Sequence, residues 1–284
     1  MIGAMIKGLW ITLNRAINHD AVEHAGYLSY LLMLTFFPFL VFFVALVGFV
    51  GKADLADALV NLILNSPWAS FIDALRPRIL EITESPPQGL LTFAIVSAIW
   101  TASSIFEAVR TILNKVNHVT NAPPYIWRRL LSMLEFSVMV IITIGFMFIL
   151  VILPSTWEHI HTVSKDIPSF AVLLGPSMEL WRGAIILAFA YVVVSSMYHF
   201  LPNRRHKFSH TTIGSIFVMK AWIIATLGFR YYLQSVPSIN IIYGSIAGVI
   251  ITLFYFYICS FVFIWGAEIN YYIHNDKGTS QKLI

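Results

Sequence analysis

An all-α, polytopic membrane protein is the fold class this sequence predicts, and three observations predict it. Hydrophobic residues fill 58% of the 284 positions and charged residues only 11%, whereas soluble domains carry about a quarter charged. Several apolar runs are long enough to cross a bilayer, and the last of them has no charged residue between Gly244 and Gly266. As a helix that interval is roughly 30 Å long, the thickness of the hydrocarbon layer. The joints between runs are short, and their basic residues are concentrated in alternate joints. No polar block is large enough for a soluble domain, so residues 1–284 read as a single membrane domain.

The elements follow in order. Within residues 1–24, Ile2, Met5, Ile6, Leu9, Leu13, Ala16 and Ile17 recur at helical spacing opposite Lys7, Asn14 and Asn18. That is an amphipathic helix suited to the cytoplasmic interface. Lys7 and Arg15 precede no small-residue cleavage site, so a removable signal peptide is not expected. The first span covers 25–50 and contains Pro38, which removes a backbone donor and kinks the helix. Residues 51–88 form a periplasmic joint in which Leu55, Leu59, Leu62 and Ile63, then Trp68, Phe71, Ile72, Leu75 and Ile79, predict two short interfacial helices. The remaining spans are expected at 89–112, 130–153 (ended by Pro154), 181–201 (stopped by Pro202 and Asn203), 211–233 and 244–270. In the last, Gly244 and Gly248 form a small-x-x-x-small pair suited to close helix approach.

Charge orients these six helices. Residues 1–24, 109–129, 202–210 and 271–284 carry eleven Lys and Arg against three acidic residues, while 51–88 and 154–182 carry five basic against eight acidic. The Lys and Arg excess places both termini in the cytoplasm. It also accounts for the net charge of +4 without a nucleic-acid partner.

The second span carries the strongest functional signal. Ser97, Thr101, Ser104, Glu107, Thr111 and Asn114 are separated by four, three, three, four and three residues, so they form one polar stripe. Lipid would leave those groups unpaired, so the stripe must face protein or water. Glu107, Arg110, Glu135 and Glu268 fall near the cytoplasmic ends of their helices, and Lys220 lies deeper. Lys220 is expected to turn inward toward Glu135 or Glu107. Arg230 is expected to snorkel outward, and Glu268 reads equally well as buried or as solvated.

Enzyme signatures are thin. Cys259 is the only cysteine, and the pairs His159/His161 and His206/His210 lack a third ligand. There is no glycine-rich phosphate loop and no Gly-x-Ser-x-Gly elbow. No cofactor and no metal are expected, and transport would need a gradient or a partner.

Several stretches together resemble the YihY/BrkB family of bacterial inner-membrane proteins. They are Leu28-Ser29-Tyr30 with Pro38, Ile99-Trp100-Thr101-Ala102-Ser103 through Leu113-Asn114-Lys115, Arg128-Arg129, Leu201-Pro202-Asn203, and Ile242-Tyr243-Gly244 with Gly266-Ala267-Glu268-Ile269. The final pair is the most specific. Phe254-Tyr255-Phe256 departs from the family pattern, which has a tryptophan there. The resemblance implies six helices with both ends inside. It also implies links to serum resistance, envelope integrity and lipid or lipopolysaccharide export, and an older ribonuclease BN label that this sequence does not support.

The expectation is therefore a transporter or flippase-like protein for an amphiphilic, anionic envelope molecule. Its path would be lined by Ser97, Trp100, Thr101, Ser104, Glu107, Arg110, Glu135, Lys220, Tyr243 and Glu268, with membrane lipids as partners. The alternative is a non-transporting envelope scaffold whose polar residues only tie helices together. Homo-oligomerisation stays open.

Overall fold

Lipid-facing sequence leaves the backbone no partner but itself, and the chain answers with helices. The computed structural model describes residues 2–50, 88–119, 123–163, 178–204, 207–235 and 247–276. Among them there are seven α-helices and no strand. They are α1 (Ile2–Asn18), α2 (Ala21–Val50), α3 (Gln88–Val116), α4 (Tyr125–Val163), α5 (Met178–Phe200), α6 (Thr212–Ser235) and α7 (Ala247–Tyr271). A 3-10 turn, Phe208–His210, leads into α6, and a π-helical turn, Tyr272–Asp276, follows α7.

Helix α7 is the hub: it packs against α1, α2, α3 and α6, while α3 also lies between α2 and α4, and α5 rests on α6. The buried core gathers at one end of the helices. It joins Leu28 and Leu31 from the start of α2, Ile112 and Leu113 from the end of α3, Val194 and Tyr198 from the end of α5, Val218 from early α6, and Phe263, Ile264 and Ala267 from late α7. Those are the ends that meet the basic joints.

The crossing of α6 and α7 explains one glycine pair. A Cβ on Gly266 would collide with Val218 and the Tyr198 hydroxyl, and one on Gly214 would collide with the Gly266 carbonyl and Asn270. Only hydrogens fit between these helices. Of the expected pair Gly244 and Gly248, Gly244 lies outside the described residues, as do Tyr243 and the surface helices of the first joint.

Away from the core, large apolar side chains point outward. Leu130, Leu134, Val138, Ile141 and Ile142 of α4 and Ile216, Ile223, Ile224 and Leu227 of α6 are exposed, a belt that water would not tolerate on this scale. Three segments among the described residues are long and apolar enough to cross a bilayer: Gly183–Phe200, Thr212–Tyr232 and Gly248–Asn275. Helix α4 runs on through Pro154, where a stop was expected, to Val163. A membrane helix tolerates the lost donor because neighbouring groups re-satisfy the freed carbonyl. Helix α2 is likewise continuous through Pro38.

Candidate functional site

Two polar centres lie within this core. The first is built from the α3 stripe and the opening turns of α4. Thr101 donates back to the Ser97 carbonyl at 2.8 Å. Ser104 accepts from Arg129 at 3.0 Å, and Arg129 also donates to the Trp100 carbonyl at 2.8 Å. The Arg129 guanidinium lies 4.6 Å from the centre of the Trp100 ring, a cation–π contact. Glu107 lies 3.4 Å from Arg128 and accepts from Ser132 at 3.3 Å. Arg110, one turn on, is only 2% exposed; it pairs with Glu135 and donates to the Leu201 carbonyl at 3.1 Å. Asn114 closes the end by accepting from the Asn203 backbone at 2.7 Å.

Spacing explains the assembly. Glu107 and Arg110 are one turn apart on α3, and Arg128, Ser132 and Glu135 recur at steps of four and three on α4, so each helix presents one polar face to the other. Guanidinium suits the task because its planar fork serves two acceptors at once. Three arginines face two glutamates here, leaving a surplus positive charge. Among the described residues, the Nε atoms of Arg110, Arg128 and Arg129 are buried without a hydrogen bond. Beside them opens a cavity of about 280 Å³ that includes Arg110, Arg128, Trp127, Leu131, Leu134 and Asn203 in its lining.

The second centre hangs on α7. Glu268 is fully buried, and its Oε1 lies 2.5 Å from Nδ1 of His19, at the end of α1. Its Oε2 makes no hydrogen bond among the described residues. Asp20 and His118, both at positive φ, close the tight turns that set His19 and the end of α3 side by side, and the His19 and His118 rings meet edge to face at 5.4 Å. Asp20 bonds Lys115 at 2.5 Å, and that ammonium holds its carboxyl below the ordinary value of 3.8. On the other side of α7, Asn270 accepts from the Gly214 backbone at 2.7 Å and donates to the Thr211 carbonyl at 3.2 Å. The stretch Gly266-Ala267-Glu268-Ile269-Asn270 thus has distinct tasks: Gly266 admits α6, Glu268 reaches α1, and Asn270 satisfies the start of α6.

Of the residues expected to line a path, Trp100, Ser104, Glu107, Arg110 and Glu135 come together in the first centre. Ser97 and Thr101 lie beside them on α3, and Thr111 of the same stripe is exposed and donates to the Glu107 carbonyl of its own helix. Glu268 belongs to the second. Lys220 joins neither: it is exposed on α6, and among the described residues no carboxylate pairs with it. The expectation that it turns inward is corrected for two physical reasons. Arginines already neutralise Glu107 and Glu135. Lys220 is also two residues past Val218, which packs on α7, and so points to the opposite side of α6. Arg128, Arg129, Ser132, Asn203 and His19 are site residues that the sequence reading did not single out. The face shared by Arg128, Ser132 and Glu135 was the available signal for α4, whereas nothing local marks His19. His210 stacks on His274 at 4.0 Å, and among the described residues no group of three His, Cys, Asp or Glu is placed to hold a metal.

A family model described as virulence factor BrkB matches residues 12–283 of the chain. Similar relatives include the ribonuclease-like protein YfkH of Bacillus subtilis, 28% identical over 192 residues, covering 66% of this chain and 67% of the relative. A UPF0761 membrane protein of Paraburkholderia xenovorans is 27% identical over 215 residues, 76% of this chain and 46% of that protein, so the match spans about half the relative's length. A UPF0761 membrane protein of Photobacterium profundum is 24% identical over 268 residues, 91% of this chain and 78% of the relative. No solved structure matches the chain.

Proposed function

This chain belongs to the BrkB virulence-factor family of membrane proteins, and from that premise we propose that it is a transporter or flippase-like protein for an amphiphilic, anionic envelope molecule, lipid or lipopolysaccharide-related. In this reading it is a multi-pass protein of the bacterial inner membrane, with six spans and both termini in the cytoplasm. The charge asymmetry of the joints supports that topology.

The observation that carries the reading is the α3–α4 network. Polar groups on a membrane helix turn away from lipid into a cluster with more guanidinium than carboxylate, beside a cavity with apolar walls. A phosphate or carboxylate head is the complement of such a charge, and an acyl chain is the complement of such a wall. With no phosphate loop in the sequence, the driving force would come from a gradient or from another protein. No ribonuclease step is proposed; that name stays with the Bacillus relative.

A scaffold role is the second reading, favoured by the many stripe groups that already bond a neighbouring helix. Reconstitution into vesicles separates the two. In the transport reading the wild type carries labelled anionic lipids across the bilayer, Arg128→Gln slows this, and Lys220→Ala, remote from the network, leaves it unchanged. Failure of the folded wild type to move any of a broad lipid panel would favour the scaffold.

A further inference from the structure

The cavity beside the arginines continues into a feature that transport alone does not require. Trp127, Leu131, Leu134, Val138 and Ile141 are all exposed and recur at steps of four, three, four and three along α4. They form one unbroken apolar row on a single face. From Trp127 to Ile141 the row rises about 21 Å along the helix, enough to accompany a lipid tail through one leaflet's share, about 15 Å, of the hydrocarbon layer. At its foot sit Arg128, in the first turn of α4, and Arg110, almost wholly buried. Both line the cavity, and each has a buried Nε that makes no hydrogen bond among the described residues.

The size and charge of the cleft define its occupant. A volume of about 280 Å³ accommodates a phosphate and its glycerol but not a pair of acyl chains, which must lie outside along the row. Glu107 and Glu135 occupy part of the arginines' bonding capacity and repel a second anion. Arg129, which bonds Ser104 and the Trp100 carbonyl outside the cavity lining, leaves the cluster as a whole one positive charge in excess, complementary to a lipid head of single negative charge. Basic pockets between helix ends at the cytoplasmic side are the general form of anionic-lipid sites, and Asn203 adds a polar group at the rim.

We propose that the cleft between the end of α3, the start of α4 and the α5–α6 joint holds the headgroup of one anionic phospholipid, with Arg128 and Arg110 on its phosphate and its chain along the α4 row. The site rests on the membrane placement proposed above but not on movement of the lipid: a lipid can be held there without being carried.

The test uses the full chain in a neutral detergent, with phosphatidylglycerol, phosphatidylcholine and inorganic phosphate as separate probes, read by native mass spectrometry and by thermal unfolding. Phosphatidylglycerol should be retained as one molecule and raise the unfolding temperature; the other two should do neither. Arg128→Gln, on a residue less buried than Arg110, should weaken retention about tenfold, a loss of one charge-assisted contact, while the variant keeps its helical circular dichroism. Leu134→Asn, in the row, should weaken it without changing any charge. Equal retention of phosphatidylcholine, equal stabilisation by inorganic phosphate, or unchanged binding by both variants overturns the assignment. Retention of phosphatidylglycerol by a protein that moves no lipid in vesicles removes the transport reading and leaves the site. Transport with no retained lipid does the reverse.

Discussion

Glu135 and Glu268 are both carboxylates within apolar helices, yet their surroundings differ in kind. Glu135 belongs to a cluster in which arginines supply permanent positive charge from both α3 and α4. Glu268 is held by a hydrogen bond to His19, with Arg15 and His118 near enough to act on it electrostatically, and one of its oxygens makes no hydrogen bond among the described residues. The arginines of the first arrangement stay charged across the physiological range and so suit a standing attraction for an anion. The second ties the amphipathic α1 to the hub helix α7 across 249 residues of chain. One end of the bundle therefore holds an arginine-rich electrostatic centre and a strap that fastens α1.

Breaking the arginine centre should have the largest effect. Arg110→Ala strands Glu135, four-fifths buried, and the Leu201 carbonyl without their partner, which costs about 3–5 kcal/mol, read by unfolding in detergent. Arg110→Lys should recover only part of this, because an ammonium lacks the fork. Next comes the close contact behind the strap: Gly266→Ala drives a methyl into Val218 and Tyr198, an overpacking cost of about 1–3 kcal/mol. His19→Ala leaves the Glu268 carboxyl without its bond, at about 1–3 kcal/mol. It should also loosen α1, seen as faster amide exchange over Ile2–Asn18 with α3 and α4 unchanged.

Two smaller effects concern pH at the membrane edge. Burial, followed by the nearby Lys115 charge, holds the His24 imidazole below its ordinary value of 6.5. The unfolded chain therefore binds this proton more readily than the folded one, and stability falls as pH drops below 6.5. His24→Gln should flatten the unfolding profile in that window. Asp20 has the usual carboxylate sign: its lowered value adds stability above 3.8 that is lost as pH falls through the folded value. Because the Asp20–Lys115 pair is solvent-exposed, Asp20→Asn should be the smallest change of the set, visible only as a slightly altered acid limb.

How far the sequence foretold this follows from how local each signal is. The α3 stripe was legible because Ser97, Ser104, Glu107 and Asn114 lie on one helix and their spacing alone puts them on one face. Glu135 was legible as a charge in need of a partner, but the partner was misassigned. Lys220 was chosen for its depth, whereas Arg110, named for the path but not as a carboxylate's partner, and Arg128, counted among the charges that orient the chain, were in reach and on the correct faces. His19 and Glu268 are 249 residues apart, and no spacing rule spans that distance. Their contact exists because α7 is the hub on which α1 lies. The glycine that permits the closest crossing, Gly266, was quoted for its motif, but its partner Gly214 is on another helix and carries no local mark.

The most direct test of the arginine centre's role is the rate at which wild-type protein carries anionic lipid across a vesicle bilayer, compared with zwitterionic lipid of identical chains. The account predicts that the anionic lipid moves faster by about tenfold, the value of one charge-assisted contact at the arginines. Equal rates for both lipids, or movement of neither by folded protein, would contradict it.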